Sequence, residues 1–306
     1  MGIVGSASHK LKKEGPISLA ESVWRNSLRK TVAGSALRSL FDDVFVEKLV
    51  MAPRVGYWPH IREPRSFNEK ITHRKLFTDD HRFAEISDKV SVKSHVSEKV
   101  GDHILPDVYH TTKDPQTISF DSLPETFVIK TGNKGVLIVD DKQGCDQDEI
   151  RAKCQRALDR GYGKHKGEYW YANTEPQIIV EERLYGLDQD IPIDYKFYVF
   201  HGHVEYVHVD IDRFGNRSMR FYDRDWTPQD FTKTGNQLAP VIEKPEHFDE
   251  MIDIAEMLGD EFEFMRVDLY QTRSNGVVFG EMTPAPASGT GGFTPTSVDF
   301  EFGSLW

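Results

Sequence analysis

Met265-Arg266-Val267-Asp268-Leu269-Tyr270 and Val278-Phe279-Gly280-Glu281-Met282 are the stretches on which the reading of this chain turns. Side chains alternate between the faces of a β-strand, so Val267 and Leu269 share one face and Arg266 and Asp268 the other. Ser274-Asn275-Gly276 between them is turn chemistry, and residues 264–271 and 277–282 are expected to pair as a hairpin. Pairing brings Glu281 back beside Asp268. Two carboxylates and an arginine then gather on one rigid face. Hard oxygen ligands of this kind suit Mg²⁺, which completes its octahedron with phosphate oxygens and water. The same residues also read as a salt bridge between Arg266 and the two acids, and the hairpin alone does not separate the two readings.

Two upstream segments point the same way. Phe127-Val128-Ile129-Lys130 ends an apolar strand on a lysine, which is costly to bury without an anionic partner. Thr131-Gly132-Asn133-Lys134-Gly135 follows, and Gly132 and Gly135 let backbone N–H groups approach a phosphate. An edge lysine beside an ordinary hairpin turn has the same pattern. Ile178-Ile179-Val180-Glu181-Glu182-Arg183-Leu184 runs apolar residues into paired glutamates, with Asp188, Asp190 and Asp194 beyond. That suits an adenine hinge followed by ribose acceptors, as it also suits a strand ending in solvated acids. The two commonest phosphate cradles, G-x-x-x-x-G-K-[ST] and G-x-G-x-x-G, are absent, so any nucleotide chemistry here rests on dispersed residues.

Composition sets the outer limits. The chain has 306 residues and a formal net charge of −11, which argues against a general polyanion binder, since nucleic-acid proteins present a basic face. Cys145 and Cys154 lie nine positions apart on an expected helix, too far to bridge, and read as reduced thiols. No apolar run approaches the ~20 residues of a membrane helix. The N-terminus has no apolar signal core, and its Met1-Gly2-Ile3-Val4-Gly5-Ser6 only formally fits a myristoylation pattern. A cytoplasmic protein is expected.

Periodicity then orders the elements. Residues 1–16 read as an arm and residues 18–51 as helical, with Pro53, Pro59 and Pro64 opening a linker. A helix is expected over residues 83–100, where Val92, Val96 and Val100 form a stripe before Gly101. Short strands follow at residues 103–109, 126–130 and 136–140, a helix at 147–160 and a strand at 177–184. Residues 195–200, 203–211 and 218–222 form a meander, and residues 246–258 a helix, before the final hairpin. The many hairpins point to an α+β fold with antiparallel sheets rather than a doubly wound parallel one.

The order of Lys89, Lys130, Glu181-Glu182 and Arg266-x-Asp268 with Glu281 resembles the ATP-grasp superfamily. Within it the chain is most similar to the TupA-like group, named for a teichuronopeptide biosynthesis protein. The resemblance runs over about residues 60–295. It is carried by Phe67-Asn68-Glu69-Lys70-Ile71, Leu123 to Lys130, Asp194-Tyr-Lys-Phe-Tyr-Val-Phe200, Asp212-Arg213-Phe214, Arg220-Phe-Tyr-Asp223-x-Asp225-Trp226, Arg266-Val-Asp-Leu-Tyr270 and Phe279-Gly-Glu281. Two departures stand out. Thr131-Gly132-Asn133-Lys134-Gly135 holds fewer glycines than the family's usual tract, and Thr283 stands where many members have asparagine.

The resemblance implies two α+β lobes with antiparallel sheets gripping ATP, plus an N-terminal helical segment. Its divisions are 1–60 (arm and helical segment), 61–125 (N-terminal lobe), 126–184 (small lobe with phosphate loop and hinge) and 185–306 (large lobe with the metal site). It implies ATP and Mg²⁺ as cofactors, Lys89 and Lys130 on the α- and β-phosphates, and Gly132 and Gly135 in the phosphate loop. Adenine would meet the backbone of Glu182 and Leu184 on a hinge begun by Glu181, with Asp188 or Asp194 near the ribose. Lys196, Arg220 and Arg266 are candidates to neutralise the transferring phosphoryl group, Lys130, Arg220 and Arg266 forming the catalytic set. Asp268, Glu281 and Thr283 would hold metal, and Arg213, Ser288 and Gly289 substrate.

The implied reaction is ATP-dependent ligation of a small-molecule carboxylate to an amine through an acyl phosphate, on a sugar acid, amino acid or cell-envelope polysaccharide precursor. A kinase acting on a hydroxyl and a non-catalytic nucleotide-binding partner are the rival readings. No nucleic acid and no membrane span are expected, and the N-terminal segment is expected either to cap the core or to pair two copies in a homodimer.

Overall fold

The computed structural model describes residues 40–132, 135–159, 167–211 and 218–306. The expected arm, most of the first helix, Asn133, Lys134 and Arg213 lie outside the described residues. Helix α1 (Asp43–Val55) is capped by Asp42, whose Oδ1 accepts from the Phe45 N–H at 2.8 Å. It runs through Pro53, where a linker was expected to begin. A proline so close to a helix end removes one ladder bond only, and Gly56 closes the helix in the left-handed region at φ 81°.

The expected linker holds a helix of its own, α2 (Phe67–Phe77). It starts on a capping box: the Ser66 hydroxyl accepts from the Glu69 N–H, and the Glu69 carboxylate accepts from the N–H groups of His60, Arg65 and Ser66. The single helix expected over residues 83–100 is two, α3 (Arg82–Ser87) and α4 (Ser91–Lys99). Asp88 causes the break. Its Oδ1 accepts from the N–H groups of Val90 and Ser91, competing with the helical ladder. Lys89 sits in that break.

A four-stranded antiparallel sheet follows, built from β1 (Val108–Thr112), β2 (Phe127–Thr131), β3 (Gly135–Val139) and β4 (Ile178–Glu182) in the order β1-β4-β2-β3. The first strand starts later than residues 103–109 suggested, because a short 3-10 turn occupies Asp102–Ile104. Helix α5 (Gln147–Asp159) covers one face, burying Ile150 and Cys154 against Phe127, Ile129, Ile178 and Val180.

The larger sheet contains β5 (Asp194–Phe200), β6 (His203–Ile211) and β7 (Ser218–Asp223) as the expected meander. Short β8 (Thr232–Lys233) and β9 (Gln237–Leu238) precede α6 (Phe248–Gly259). Next come the hairpin β10 (Phe264–Thr272) and β11 (Gly276–Thr283), then β12 (Phe293–Thr294) and α7 (Ser297–Ser304). The strand order is β11-β10-β5-β6-β7-β9, and β12 pairs with β8. The fold is α+β with mostly antiparallel sheets.

Each face of this sheet meets a different layer. On one, Phe197 packs on Phe248 of α6, and Trp226 stacks on Tyr222 at 4.0 Å. On the other, Phe67 of α2 meets Phe264 at 4.8 Å, and Phe302 of α7 stacks on Tyr206 at 4.5 Å. Buried Arg74 ties α2 to β10 and to the residue that follows β11, donating to the carbonyls of Phe264 and Pro284. Among the described residues no helix is long and apolar enough to cross a membrane.

One irregularity shapes the hairpin. Asp268 pairs with Glu281 but the next residue, Leu269, pairs with Phe279, leaving Gly280 as the extra residue of a bulge. The bulge resets the alternation, so Phe279 and Met282 are buried while Glu281 is exposed. A Cβ at Gly280 would stand 2.8 Å from the Tyr270 ring and 2.9 Å from the Asp268 carbonyl oxygen. Gly280→Ala should therefore lower the unfolding free energy by about 1–3 kcal/mol, as overpacking does, measured by urea denaturation. A midpoint equal to that of the unmodified chain would show that the bulge tolerates a side chain.

Candidate functional site

Strand register lines up a polar row across four strands. His208 of β6 pairs with Lys196 of β5, Lys196 with Asp268 of β10, and Asp268 with Glu281 of β11. Lys196 is the hub. Its Nζ ion-pairs closely with Asp194, lies 3.1 Å from Asp268 Oδ2 and 3.8 Å from Asp210 Oδ2, and all four side chains are nearly solvent-free. Burial alone pulls the Lys196 pKa down, but Asp194 and Asp268 overcome it and hold the ammonium above its usual value. Arg266 clamps Asp268 from the other side, with Nε at 2.6 Å from Oδ1 and Nη2 at 2.8 Å from Oδ2. Burial still pushes the Asp268 carboxyl up, against Arg266 and Lys196.

Glu281 differs from Asp268. It is exposed and opens onto a cleft between Lys130 of the smaller sheet and the hairpin. Burial works against its charge, but Lys89, Arg266 and the Thr283 hydroxyl at 2.7 Å win and hold its carboxyl down at about 2. Lys89, Lys93 and Lys130 line the same pocket with Glu181. Lys130 pairs closely with Glu181, and Lys93 lies 3.4 Å from it. Asp88 lines it as well, its Oδ1 engaged by the N–H groups of Val90 and Ser91. Burial lowers the pKa of Lys89 and of Lys93 against the carboxylates beside them.

A second pocket, of about 150 Å³, shares Glu281 with the first and is lined by Arg266, Thr283, Trp170, Ala287 and Ser288. Its floor is strained: Ala287 and Ser288 hold φ of 50° and 57°, before Gly289 at 70°. A buried strut supports it. Lys75 donates to the Ser288 carbonyl at 2.9 Å and to its hydroxyl at 3.3 Å, and pairs with buried Glu47 at 3.3 Å.

Several residues singled out in the sequence lie elsewhere. Arg220 pairs with Val209, which pairs with Tyr195, so it sits on the opposite face of the sheet from Lys196. There it donates to the carbonyls of Ala239 and Gln229. Asp194 belongs to the Lys196 cluster. Asp188 is exposed, Glu182 accepts from the Asn275 amide, and the Leu184 carbonyl accepts from Arg183 at 2.7 Å. Gly132 turns the end of β2 at φ 47°, and a Cβ at Gly135 would stand 2.0 Å from Thr131 Oγ1. The sequence reading missed Lys93, His208 and Asp210. Only Lys93 left a local signal, four residues after Lys89.

Whether this arrangement fits Mg²⁺ can be judged from its oxygen donors. Among the described residues no group of three or more His, Cys, Asp and Glu forms a metal cage, because Lys196 fills the space among Asp194, Asp210 and Asp268. Glu281 and Asp268 remain side by side, with the Thr283 hydroxyl adjacent. Two carboxylates suit an ion that takes the rest of its shell from phosphate and water. The donor set fits.

His208 gives the cluster a pH signature. It is buried, with Nε2 3.3 Å from Asp210 Oδ1, and burial pushes its pKa down to about 4. Between the unfolded value near 6.5 and 4, the unfolded chain binds the proton and the folded chain does not. Stability is therefore full above pH 6.5 and falls as pH drops through that window, by roughly 3 kcal/mol at one site. Denaturation midpoints of His208→Gln should decline less between pH 6.5 and 4 than those of the unmodified chain. Parallel declines would assign the loss to other groups.

Comparison with known proteins matches this architecture to a family. The TupA-like ATPgrasp family model matches residues 69–306. No curated protein matches the chain. Among solved structures it is similar to D-alanine–D-alanine ligase from Bacillus anthracis complexed with ATP, at 16% identity and a TM-score of 0.43, over 73% of this chain and 65% of that one. It is also similar to L-amino acid ligase from Bacillus licheniformis, at 16% identity and a TM-score of 0.42, over 67% and 44%. The chain thus spans less than two thirds of the length of either structure. With the family model covering more than three quarters of its residues, the chain belongs to the TupA-like ATP-grasp family, and its fold is the ATP-grasp fold.

Proposed function

We propose that the chain uses Mg-ATP to activate a carboxylate and couple it to an amine. The observation that carries this reading is the meeting of two pockets at Glu281, one rich in lysine and one with Arg266 as its basic residue. In this reading Lys89, Lys93 and Lys130 bind the phosphates in the first pocket, and Glu181 holds Lys130 and Lys93 in place. Asp268 and Glu281 would hold Mg²⁺, which supplies charge neutralisation at the phosphate oxygens when bound.

Arg266 lines the second pocket beside the shared Glu281, and its guanidinium is held firmly charged by Asp268 and Glu281 against burial. It is placed to stabilise the phosphoryl group in transit, where catalysis is mostly positioning and charge. The acid in the second pocket attacks the γ-phosphorus, and the acyl phosphate and ADP form. An amine then displaces phosphate and leaves an amide. Burial of the Lys196 cluster keeps water from Asp268, and a reaction through an acyl phosphate, which hydrolyses readily, needs water excluded. No protein nucleophile is needed. Arg220 has no part in this reading, since its guanidinium is spent on backbone carbonyls across the sheet. The acid is a sugar acid, an amino acid or a cell-envelope polysaccharide precursor in this reading.

Asp268→Asn keeps the shape and removes the charge, so ADP release should fall on the order of a hundredfold or more with the circular dichroism unchanged. Turnover at the original rate would remove Asp268 from the site. Release of ADP and phosphate across panels of carboxylates and amines, with hydroxylamine present, tests the reaction class. A trapped hydroxamate supports the ligase; a stable phosphorylated product with no free phosphate would mean a kinase.

A further inference from the structure

Beside the second pocket lies a set of buried polar atoms that nothing in the fold uses. Tyr198 is fully buried, yet its hydroxyl has no hydrogen-bond partner among the described residues. His208 has Nε2 3.3 Å from Asp210 Oδ1, and neither of its ring nitrogens closes a hydrogen bond among the described residues. Buried Asn68 donates its amide to the Gly291 carbonyl at 3.2 Å, and its Oδ1 meets nothing. Lys233 lies over the Tyr198 ring at 5.4 Å and the Phe293 ring at 5.3 Å, and among the described residues its ammonium closes no hydrogen bond or ion pair.

These groups share one place. Tyr198 pairs with Arg266 across β5 and β10, and His208 with Lys196 across β5 and β6. Tyr198 and His208 both pack on Phe221. A Cβ at Gly291 would stand 2.9 Å from the Ala287 Cβ and 3.6 Å from Lys233 Nζ, so Lys233 adjoins the pocket wall that Ala287 forms. Folded proteins leave few buried polar groups unpaired, because each forfeits its bonds to water. One orphan hydroxyl needs no explanation. A cation and a hydroxyl that donate, beside a ring nitrogen and an amide oxygen that accept, form the complement of a ligand.

We propose that Lys233, Tyr198, His208 and Asn68 form the subsite for the second substrate, taking a carboxylate that carries a hydroxyl or amine beside it. Lys233 and the Tyr198 hydroxyl donate to the carboxylate oxygens. His208, neutral at physiological pH, accepts at Nδ1, and Asn68 accepts at Oδ1, from the neighbouring O–H or N–H. An acid without that neighbour leaves both acceptors unsatisfied and binds less well. The assignment rests on the ligase reading for its place beside the transfer site, but binding there can be scored without turnover.

Saturation-transfer NMR on the full chain, with glycolate, glycine and acetate titrated at constant ionic strength, tests it. Glycolate or glycine should bind at least fivefold more tightly than acetate, and the arm that binds identifies the hydroxyl or the amine. Lys233→Gln should weaken that binding at least tenfold. Tyr198→Phe should weaken it while melting no lower than the unmodified chain, since the hydroxyl it removes makes no internal bond. Equal affinity for the three acids, unchanged binding in Lys233→Gln, or a lower melting temperature in Tyr198→Phe would overturn the assignment. Selective binding with no ADP release on any acid would sink the ligase reading and leave the subsite standing.

Discussion

A buried ammonium group organises the ligand-facing side of the large sheet. Isolated in a protein interior, the charge of Lys196 would be too costly to keep, and the chain answers with Asp194, Asp210 and Asp268 around it. That cluster exists only in one register. Lys196 must face Asp268 across β10 and His208 across β6, and a one-residue slip would carry every member to the α6 face. The aromatic half of the same face, Tyr198, Tyr206 and Phe221 under Phe67 and Phe302, holds the register from the other end. Polar and apolar halves thus specify each other.

What the sequence disclosed and what it hid divides by range. The hairpin of residues 264–283 was legible because alternation and an Asn-Gly turn are local signals. Its bulge was not, since which strand carries the extra residue depends on packing against Tyr270 and the Asp268 carbonyl. Arg220 was misplaced for a related reason. Its face relative to Lys196 is set by two successive strand pairings, and no property of residues 218–222 reveals that parity. Local competition explains the helix error at Asp88, where one side chain offers the backbone another partner. Helix α2 was readable in principle, because Ser66 and Glu69 spell a capping box, but three nearby prolines read as a linker.

The candidate site follows the same division. Lys89, Lys130, Glu181 and Glu281 were named from separate segments, and the fold brings all four to one pocket. Charge at a strand end is a strong local oddity and survives translation into three dimensions. Lys93 was overlooked because Val92 and Val96 dominated the pattern of α4, although a lysine four residues after Lys89 would share its side of the single helix expected there. His208, Tyr198 and Lys233 had no such signal. Their meaning comes from what they fail to touch, which only coordinates disclose.

Arg266 belongs both to the buried cluster and to the proposed transfer site. Its Nε and one Nη2 donate to the two oxygens of Asp268, and Nη2 also serves the Thr283 hydroxyl. A carboxylate offers about four lone-pair positions, and with Lys196 added three of those on Asp268 are taken. Three of the five N–H groups of the guanidinium are thereby spent, and the two on Nη1 are left for a phosphoryl group in the proposed reaction. Asp268 thus orients the arginine without competing with substrate for it. Lys196, fixed among Asp194 and Asp210, balances the charge of Asp268 from the other side. The hub that looks like a structural salt bridge is what holds the arginine beside it in place.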